Sequence, residues 1–397
     1  MARVKLIQNK ADIAPEHYPL FEELAALRGR VSGPSTVMLH SPALARPWNE
    51  VGEYLHRRSI VQPQYAELAV SVTARHYDCA YVWAAHVPQA RKAGVSEATF
   101  AAVAHGGSLD GLPPEEAAIV GYVRQLLHGK RVDSAVFDPL LAAHGARWLV
   151  ELTAWIGRYG ALSLILNTFE VLPAAGKEPL PALSPAVLPP RTIARTPLAS
   201  PRLALIGARE QVDAADHAVF DAIAEGRRSV RGPFAVMMHS PPLCQRVFDV
   251  SNCLRFASRL SSRTREIATL VTARELDCPY LWASHAAAAR REGVAEATIA
   301  LIRDRADANP LSPDEADVVD FTRQALRAHR VAPPLFDRLR DGHGVPWLVE
   351  LAALIGHYGM IGAMLNAFEV APAPGAEPLV GTLSALTAIA GAVPGNE

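Results

Sequence analysis

Residues 199 positions apart match along most of this chain. His40-Ser41-Pro42 returns as His239-Ser240-Pro241, Thr73-Ala74-Arg75 as Thr272-Ala273-Arg274, and Gly94-Val95 as Gly293-Val294. His144-Gly145 returns as His343-Gly344, and across these landmarks no residue is inserted or deleted. From His144 to Val171 and from His343 to Val370, 17 of 28 positions are identical. A register held over that length marks a duplication, so the two halves must share one fold.

The repeat sets the expected organisation: a first domain over residues 1–180, a linker over 181–201, a second domain over 202–380 and a tail over 381–397. Pro173 to Pro201 holds eight prolines, and proline removes helix donors and clashes with the preceding turn. Ala371-Pro372-Ala373-Pro374-Gly375 follows the second repeat in the same way, so part of each proline-rich run is expected to pack on its own domain.

Composition narrows the class. Half of the 397 residues are hydrophobic, which excludes disorder as the dominant state, and 39 basic residues balance 40 acidic ones. A chain whose main task is neutralising phosphates concentrates basic charge, so no nucleic acid partner is expected. Four cysteines are too few for a disulfide scaffold, and Met1-Ala2-Arg3-Val4-Lys5 opens no apolar signal segment; the expected compartment is the reducing cytoplasm. The longest apolar stretches, Trp148 to Leu166 and Trp347 to Leu365, carry Glu151 and Arg158 or Glu350 and His357. They read as buried helices, not membrane spans.

Each repeat reads as helical nearly throughout. Ser41-Pro42 and Ser240-Pro241 look like a cap followed by proline at the first helical position. Gln64 to His76 and Cys79 to Lys92 read as two helices meeting at Asp78, the second ending at Gly94. Pro114-Glu115-Glu116 and Pro313-Asp314-Glu315 place proline and acids at helix starts. No strand is convincing, and the expected fold is all-α, one helical bundle per repeat.

The chemistry-bearing pattern is Glu67, then Cys79, Tyr81, Trp83 and His86, repeated as Glu266, Cys278, Tyr280, Trp282 and His285 at identical spacing. With Asp78 as cap, Cys79, Trp83 and His86 fall on one helix face. An antiparallel pairing about Asp78 would return the Glu67 carboxylate toward His86, making a proton donor and acceptor for general acid and base work. The alternative readings are structural: a cysteine as a small core residue, a Glu/His pair tying two helices, and aromatic residues at helical spacing filling the core. Arg75 and Arg274 could recognise an anion or sit solvated at a helix end, and His40 and His239 could line a pocket or serve a loop.

The arrangement of a glutamate, a cysteine twelve residues on and a histidine seven beyond, followed by Gly94-Val95-Ser96-Glu97, resembles the carboxymuconolactone decarboxylase and alkylhydroperoxidase D superfamily, and does so in both repeats. Glu-Leu-x-x-x-Ile-Gly-x-Tyr (Glu151 to Tyr159; Glu350 to Tyr358) and the following Asn-x-Phe-Glu-Val point to its decarboxylase branch. The resemblance implies two tandem alkylhydroperoxidase D-like helical domains and a homo-oligomer, a trimer of tandem chains forming a pseudo-hexamer. It implies decarboxylation of a small lactone, with Glu67, Cys79, His86, Glu266, Cys278 and His285 as catalytic residues. His40, Tyr81, Trp83, His239, Tyr280 and Trp282 would bind the substrate.

One departure bears on mechanism. The hydroperoxidase branch uses Cys-x-x-Cys, and Val82 and Leu281 stand where the second cysteine would be. A dithiol cycle within the motif is thereby excluded, leaving a one-cysteine peroxidase as the alternative enzyme and a non-catalytic assembly or binding protein as the third reading. Cys244 and Cys253 align with Ala45 and Tyr54 and read as packing residues. No His-x-x-x-His, Cys-x-x-Cys or glycine-rich phosphate loop opening a helix is present, so neither a metal nor a cofactor is expected.

Overall fold

A computed structural model describes residues 2–182 and 200–379. The centre of the expected linker and the expected tail lie outside the described residues. The first repeat forms α1 (Tyr18–Arg28), α2 (Ser35–Met38), α3 (Pro42–Arg58), α4 (Pro63–His76), α5 (Ala80–Lys92), α6 (Glu97–His105), α7 (Pro114–Arg124) and α8 (Ser134–Thr168). The second repeats the order as α9 (His217–Arg227), α10 (Pro233–Met237), α11 (Pro241–Phe256), α12 (Ser262–Glu275), α13 (Pro279–Arg291), α14 (Glu296–Arg303), α15 (Pro313–Arg327), α16 (Pro333–His343) and α17 (Val345–Ala367). No strand occurs among the described residues. The all-α fold read from the sequence is the fold of the protein.

Gly145 (φ 82°, ψ 171°) interrupts α8 where Gly344 (φ 84°, ψ 163°) separates α16 from α17. Both lie in the left-handed half of backbone space that glycine enters without a Cβ penalty, which explains the repeated His-Gly pair. Prolines at first helical positions start α3, α4, α7, α11 and α15, where their missing N–H costs nothing.

Two local expectations are corrected. Ser41 and Ser240 occupy the N-cap positions of α3 and α11, yet neither hydroxyl caps its helix; both reach across the repeat boundary. Asp78 does not cap α5 either. Its backbone is left-handed (φ 50°), as is that of Asp277 (φ 45°), and the Cys79 and Cys278 N–H groups close on the Ala74 and Ala273 carbonyls at 2.9 and 3.0 Å. This is the six-to-one closure of a helix C-terminus with aspartate in glycine's usual place. Arg75 and Arg274 hold that aspartate by an ion pair, Arg274 at 2.8 Å from Asp277. Cys79 and Cys278 thereby become the N-caps of α5 and α13.

The two long apolar helices form the common core. From Trp148 to Thr168 the side chains of α8 are buried on every face, and α17 is buried along most of its length. They pack against each other through small residues. A Cβ added at Gly157 would stand 2.5 Å from Met360, and one at Gly356 would stand 2.7 Å from Ala161. Residues 157 and 356, like 161 and 360, are repeat equivalents, so the repeats meet about a pseudo-twofold axis at this crossing.

Buried polar groups reinforce the contact. Ser240 donates to Glu151 at 2.7 Å, and its equivalent Ser41 donates to Glu350 at 2.8 Å. Arg131 pairs with the buried Glu369 of the other repeat at 2.7 Å.

Candidate functional site

The pairing of α4 with α5 about Asp78 is the antiparallel hairpin expected from the sequence, and it returns Glu67 to His86. His86 Nδ1 lies 2.7 Å from Glu67 Oε2, and His285 Nδ1 lies 2.8 Å from Glu266 Oε2. An ionised carboxylate only accepts, so Nδ1 carries the hydrogen and Nε2 is the ring nitrogen that keeps its lone pair. The His86 and Glu67 side chains are 16% and 14% exposed, and those of His285 and Glu266 are each 17% exposed. Each dyad is thus largely sheltered from bulk water, with a small part of each side chain exposed.

The aromatic neighbour of each imidazole comes from the long core helix. Tyr159 meets His86 edge-on with ring centroids 4.7 Å apart, and Tyr358 meets His285 at 4.9 Å. In the first repeat the Tyr159 hydroxyl shares a 2.9 Å hydrogen bond with His56 Nε2, and the His56 ring stands against Trp155 at 4.8 Å. In the second, burial pushes the Tyr358 phenol up to about 12, with Glu266 adding to the effect against Arg227, Arg255 and Arg265. Arg255 holds the position equivalent to His56, so the second site is the more cationic.

The cysteines are placed differently. Cys79 and Cys278 are 1% and 0% exposed and belong to the hydrophobic core. Burial pushes the Cys79 thiol up and the Cys278 thiol to about 11. A thiol nucleophile needs the opposite environment, electropositive and accessible.

The remaining sequence candidates are distributed around the dyad's helices. Trp83 and Trp282 are 2% and 0% exposed and fill the core. Tyr81 and Tyr280 pack over Gly33 and Gly232; a Cβ at Gly33 would stand 2.7 Å from the Tyr81 hydroxyl, which accounts for the repeated Gly-Pro. His40 and His239 donate from Nε2 to the Lys5 and Ala204 carbonyls at 2.8 and 2.9 Å, fastening the segment that leads into each repeat. Arg75 and Arg274 are 8% and 4% exposed, neither solvated helix ends nor open anion sites.

Tyr159, Tyr358 and His56 were not singled out as site residues from sequence. The two tyrosines lie inside the repeated Glu-Leu-x-x-x-Ile-Gly-x-Tyr run, which was the available signal. His56 had none, because its repeat partner is Arg255.

With this geometry in place, the class of protein follows: a tandem helical protein with one Glu/His dyad in each half. The carboxymuconolactone decarboxylase family model matches residues 42–124 and 241–324, the segments that carry α3 to α7 and α11 to most of α15. The family model thus matches once in each repeat, consistent with a tandem duplication of a carboxymuconolactone decarboxylase family domain. No curated protein and no solved structure matches it.

Proposed function

We propose that each repeat is an acid–base catalyst of the decarboxylase type, acting in the cytoplasm and without a cofactor on a small carboxylated or lactone-like metabolite. The observation that carries this reading is the dyad itself, Glu67–His86 at 2.7 Å and Glu266–His285 at 2.8 Å. Glu67 fixes the tautomer of His86, so Nε2 is the atom that works. In decarboxylation the bond to the carboxylate carbon breaks, its electron pair moves into the conjugated lactone as a dienolate, and carbon dioxide leaves. The imidazolium of His86 then returns a proton from Nε2 to carbon, and solvent reprotonates the ring. General acid catalysis of this kind contributes roughly a hundredfold to ten-thousandfold. The buried thiols favour this reading over a one-cysteine peroxidase.

The test is turnover of a panel of muconolactones by the full chain, followed by lactone absorbance and carbon dioxide release. The expected result is that His86→Gln with His285→Gln lowers turnover by about a hundredfold or more, while Cys79→Ala with Cys278→Ala leaves it intact. Turnover that survives loss of both histidines, or peroxide consumption that vanishes with both cysteines, overturns the proposal. Assembly into a trimer of tandem chains belongs to the same proposal and is checked by light scattering.

A further inference from the structure

The two dyads match closely, but the groups behind them do not. In the first repeat the last turn of α3 brings the exposed His56 to Tyr159 of α8, which is only 4% exposed. The 2.9 Å hydrogen bond between His56 Nε2 and the Tyr159 hydroxyl joins them. Tyr159 is also the ring that meets His86 edge-on at 4.7 Å, and the His56 and His86 rings lie 6.4 Å apart with 23° between their planes. Tyr159 therefore stands between a solvent-facing imidazole and the imidazole of the dyad.

His56 is held in this place by a second aromatic residue. Trp155 lies one turn before Tyr159 on the same face of α8. Its ring meets His56 edge-on at 4.8 Å and runs nearly parallel to Tyr159, with centroids 5.7 Å apart. The Trp155 indole N–H in turn donates to Ser59 Oγ at 3.3 Å, just past the end of α3.

The second repeat exchanges both residues together. Arg255 replaces His56 and Leu354 replaces Trp155, while Tyr159 returns as Tyr358 and Ser59 as Ser258. The Arg255 guanidinium lies over the Phe256 ring, 5.2 Å from its centroid. The chemistry changes with the residue. A hydroxyl both donates and accepts, and an imidazole takes a proton at one ring nitrogen as it releases one from the other. A guanidinium stays charged and only donates. Beside its dyad the first repeat thus has a path for a proton, and the second has a fixed positive charge.

We infer that Tyr159 and His56 form a second proton-transfer pair in the first site alone, with Tyr159 as a catalytic acid toward the substrate's carbonyl oxygen and His56 as the positioning residue that recharges it from solvent. The inference rests on the acid–base reading of the dyad. As the bond to the carboxylate carbon breaks and carbon dioxide leaves, the electron pair moves onto the lactone carbonyl oxygen, which takes the Tyr159 hydroxyl proton. Tyr159 regains a proton from His56 Nε2 while solvent protonates His56 Nδ1. When His86 protonates carbon, the dienol proton returns through Tyr159 to His56 Nε2 and Nδ1 releases its own to solvent, so the pair ends as it began. Tyr358 has no such supply, because Arg255 gives up no proton.

Two full-length single-site chains test this on the muconolactone panel: His285→Gln reports the first site and His86→Gln the second. In the first-site chain Tyr159→Phe and His56→Ala are each expected to lower kcat by about a hundredfold with KM little changed, the lower end of general acid–base effects. Added imidazole should restore much of the loss in His56→Ala and none in Tyr159→Phe, and the two substitutions together should cost no more than Tyr159→Phe alone. His56→Arg carries the test if His56→Ala fails to fold, because the second repeat folds with arginine there; it should show the same loss without rescue. The second-site chain should gain nothing from imidazole. Full kcat in His56→Ala or His56→Arg, a loss in His56→Ala that imidazole leaves unchanged, a change in KM alone, or an inactive first-site chain beside an active second-site chain overturns the inference and leaves the acid–base reading standing. Turnover that survives loss of both dyad histidines, or that is absent from both single-site chains, overturns the acid–base reading and the inference with it.

Discussion

Ser240 of the second repeat donates its hydroxyl to Glu151 of the first at 2.7 Å. Glu151 is fully buried and gathers further donors: the Tyr54 hydroxyl at 2.8 Å, the Ile60 N–H at 2.7 Å and Arg147 Nε at 2.9 Å. Burial opposes its charge, but the bonds from Arg147, Ser240, Ser59 and Ile60 outweigh it and hold the carboxyl below its ordinary value. Glu350 accepts from Ser41, from the Ser258 hydroxyl at 2.8 Å and from the Arg259 N–H at 2.6 Å. The glutamate of one repeat is therefore satisfied in part by the other, and neither half is complete alone.

That reciprocity predicts a cost for Ser240→Ala. One hydrogen bond to a buried charge is lost, worth about 1.5–3 kcal/mol. Glu151→Ala strands several donors at once and should cost more, about 3 kcal/mol or above. Urea unfolding at neutral pH measures both; a Ser240→Ala variant as stable as the parent removes the cross-repeat bond from the stability of the chain.

The crossing of α8 with α17 yields a second prediction. A Cβ at Gly157 would stand 2.5 Å from Met360 Cγ and 2.8 Å from its Cα, so the contact meets backbone as well as a movable side chain. Gly157→Val should destabilise by about 3 kcal/mol, the upper end of overpacking costs. Gly342, which has open space around its Cβ position, serves as control, with Gly342→Ala near neutral. Thermal melts of the two variants compare them directly, and equal melting temperatures would show that the small-residue crossing is not tightly packed.

What the sequence made legible followed spacing. Glu67 and His86 met because a helix, a tight turn and a second helix allow one antiparallel register, and both repeats printed it. The cap at Asp78 was misread because the residue type suits both an N-cap and a left-handed C-terminal position. Only the ion pair to Arg75 decides between them. Ser41 was misread for a similar reason: the serine-proline pair predicts where α3 starts, but the hydroxyl's partner is Glu350, 309 residues away. Contacts between repeats leave no local pattern, and for that reason Glu151 and Glu350 read merely as polar interruptions of an apolar helix.

Acid should loosen the protein through its buried histidines. Burial, helped by Arg227, holds the His357 imidazole down at about 3, and burial with His128, His329 and Lys130 nearby holds His76 well below its ordinary value. Unfolded, both groups take up protons near pH 6.5. Between that pH and the folded values the unfolded chain binds more protons, so stability is present above about pH 6.5 and declines as pH falls. Each group contributes up to about 1.4 kcal/mol per pH unit. His357→Gln keeps a polar partner for Ser251 and should flatten the stability profile between pH 6 and 4 by about one proton's worth. Denaturant midpoints taken across that range check it, an unchanged slope being the contrary result.

Thiol labelling separates the catalytic readings without any substrate. Cys79, Cys244 and Cys278 are buried, while Cys253 is half-buried. Burial raises all four thiols, Cys253 and Cys278 each to about 11. Attack by a thiol requires both the thiolate and a path to the reagent, and only Cys253 has a path. In the native chain an aromatic disulfide reagent at neutral pH should therefore modify Cys253 first and slowly, with the other three reacting only on unfolding. Peptide mapping after timed labelling assigns the order. Rapid modification of Cys79 and Cys278 in the folded protein would mean that the hairpin opens to admit reagents at the cap of α5 and α13. The one-cysteine peroxidase would then displace the Glu/His dyad as the leading reading of both sites.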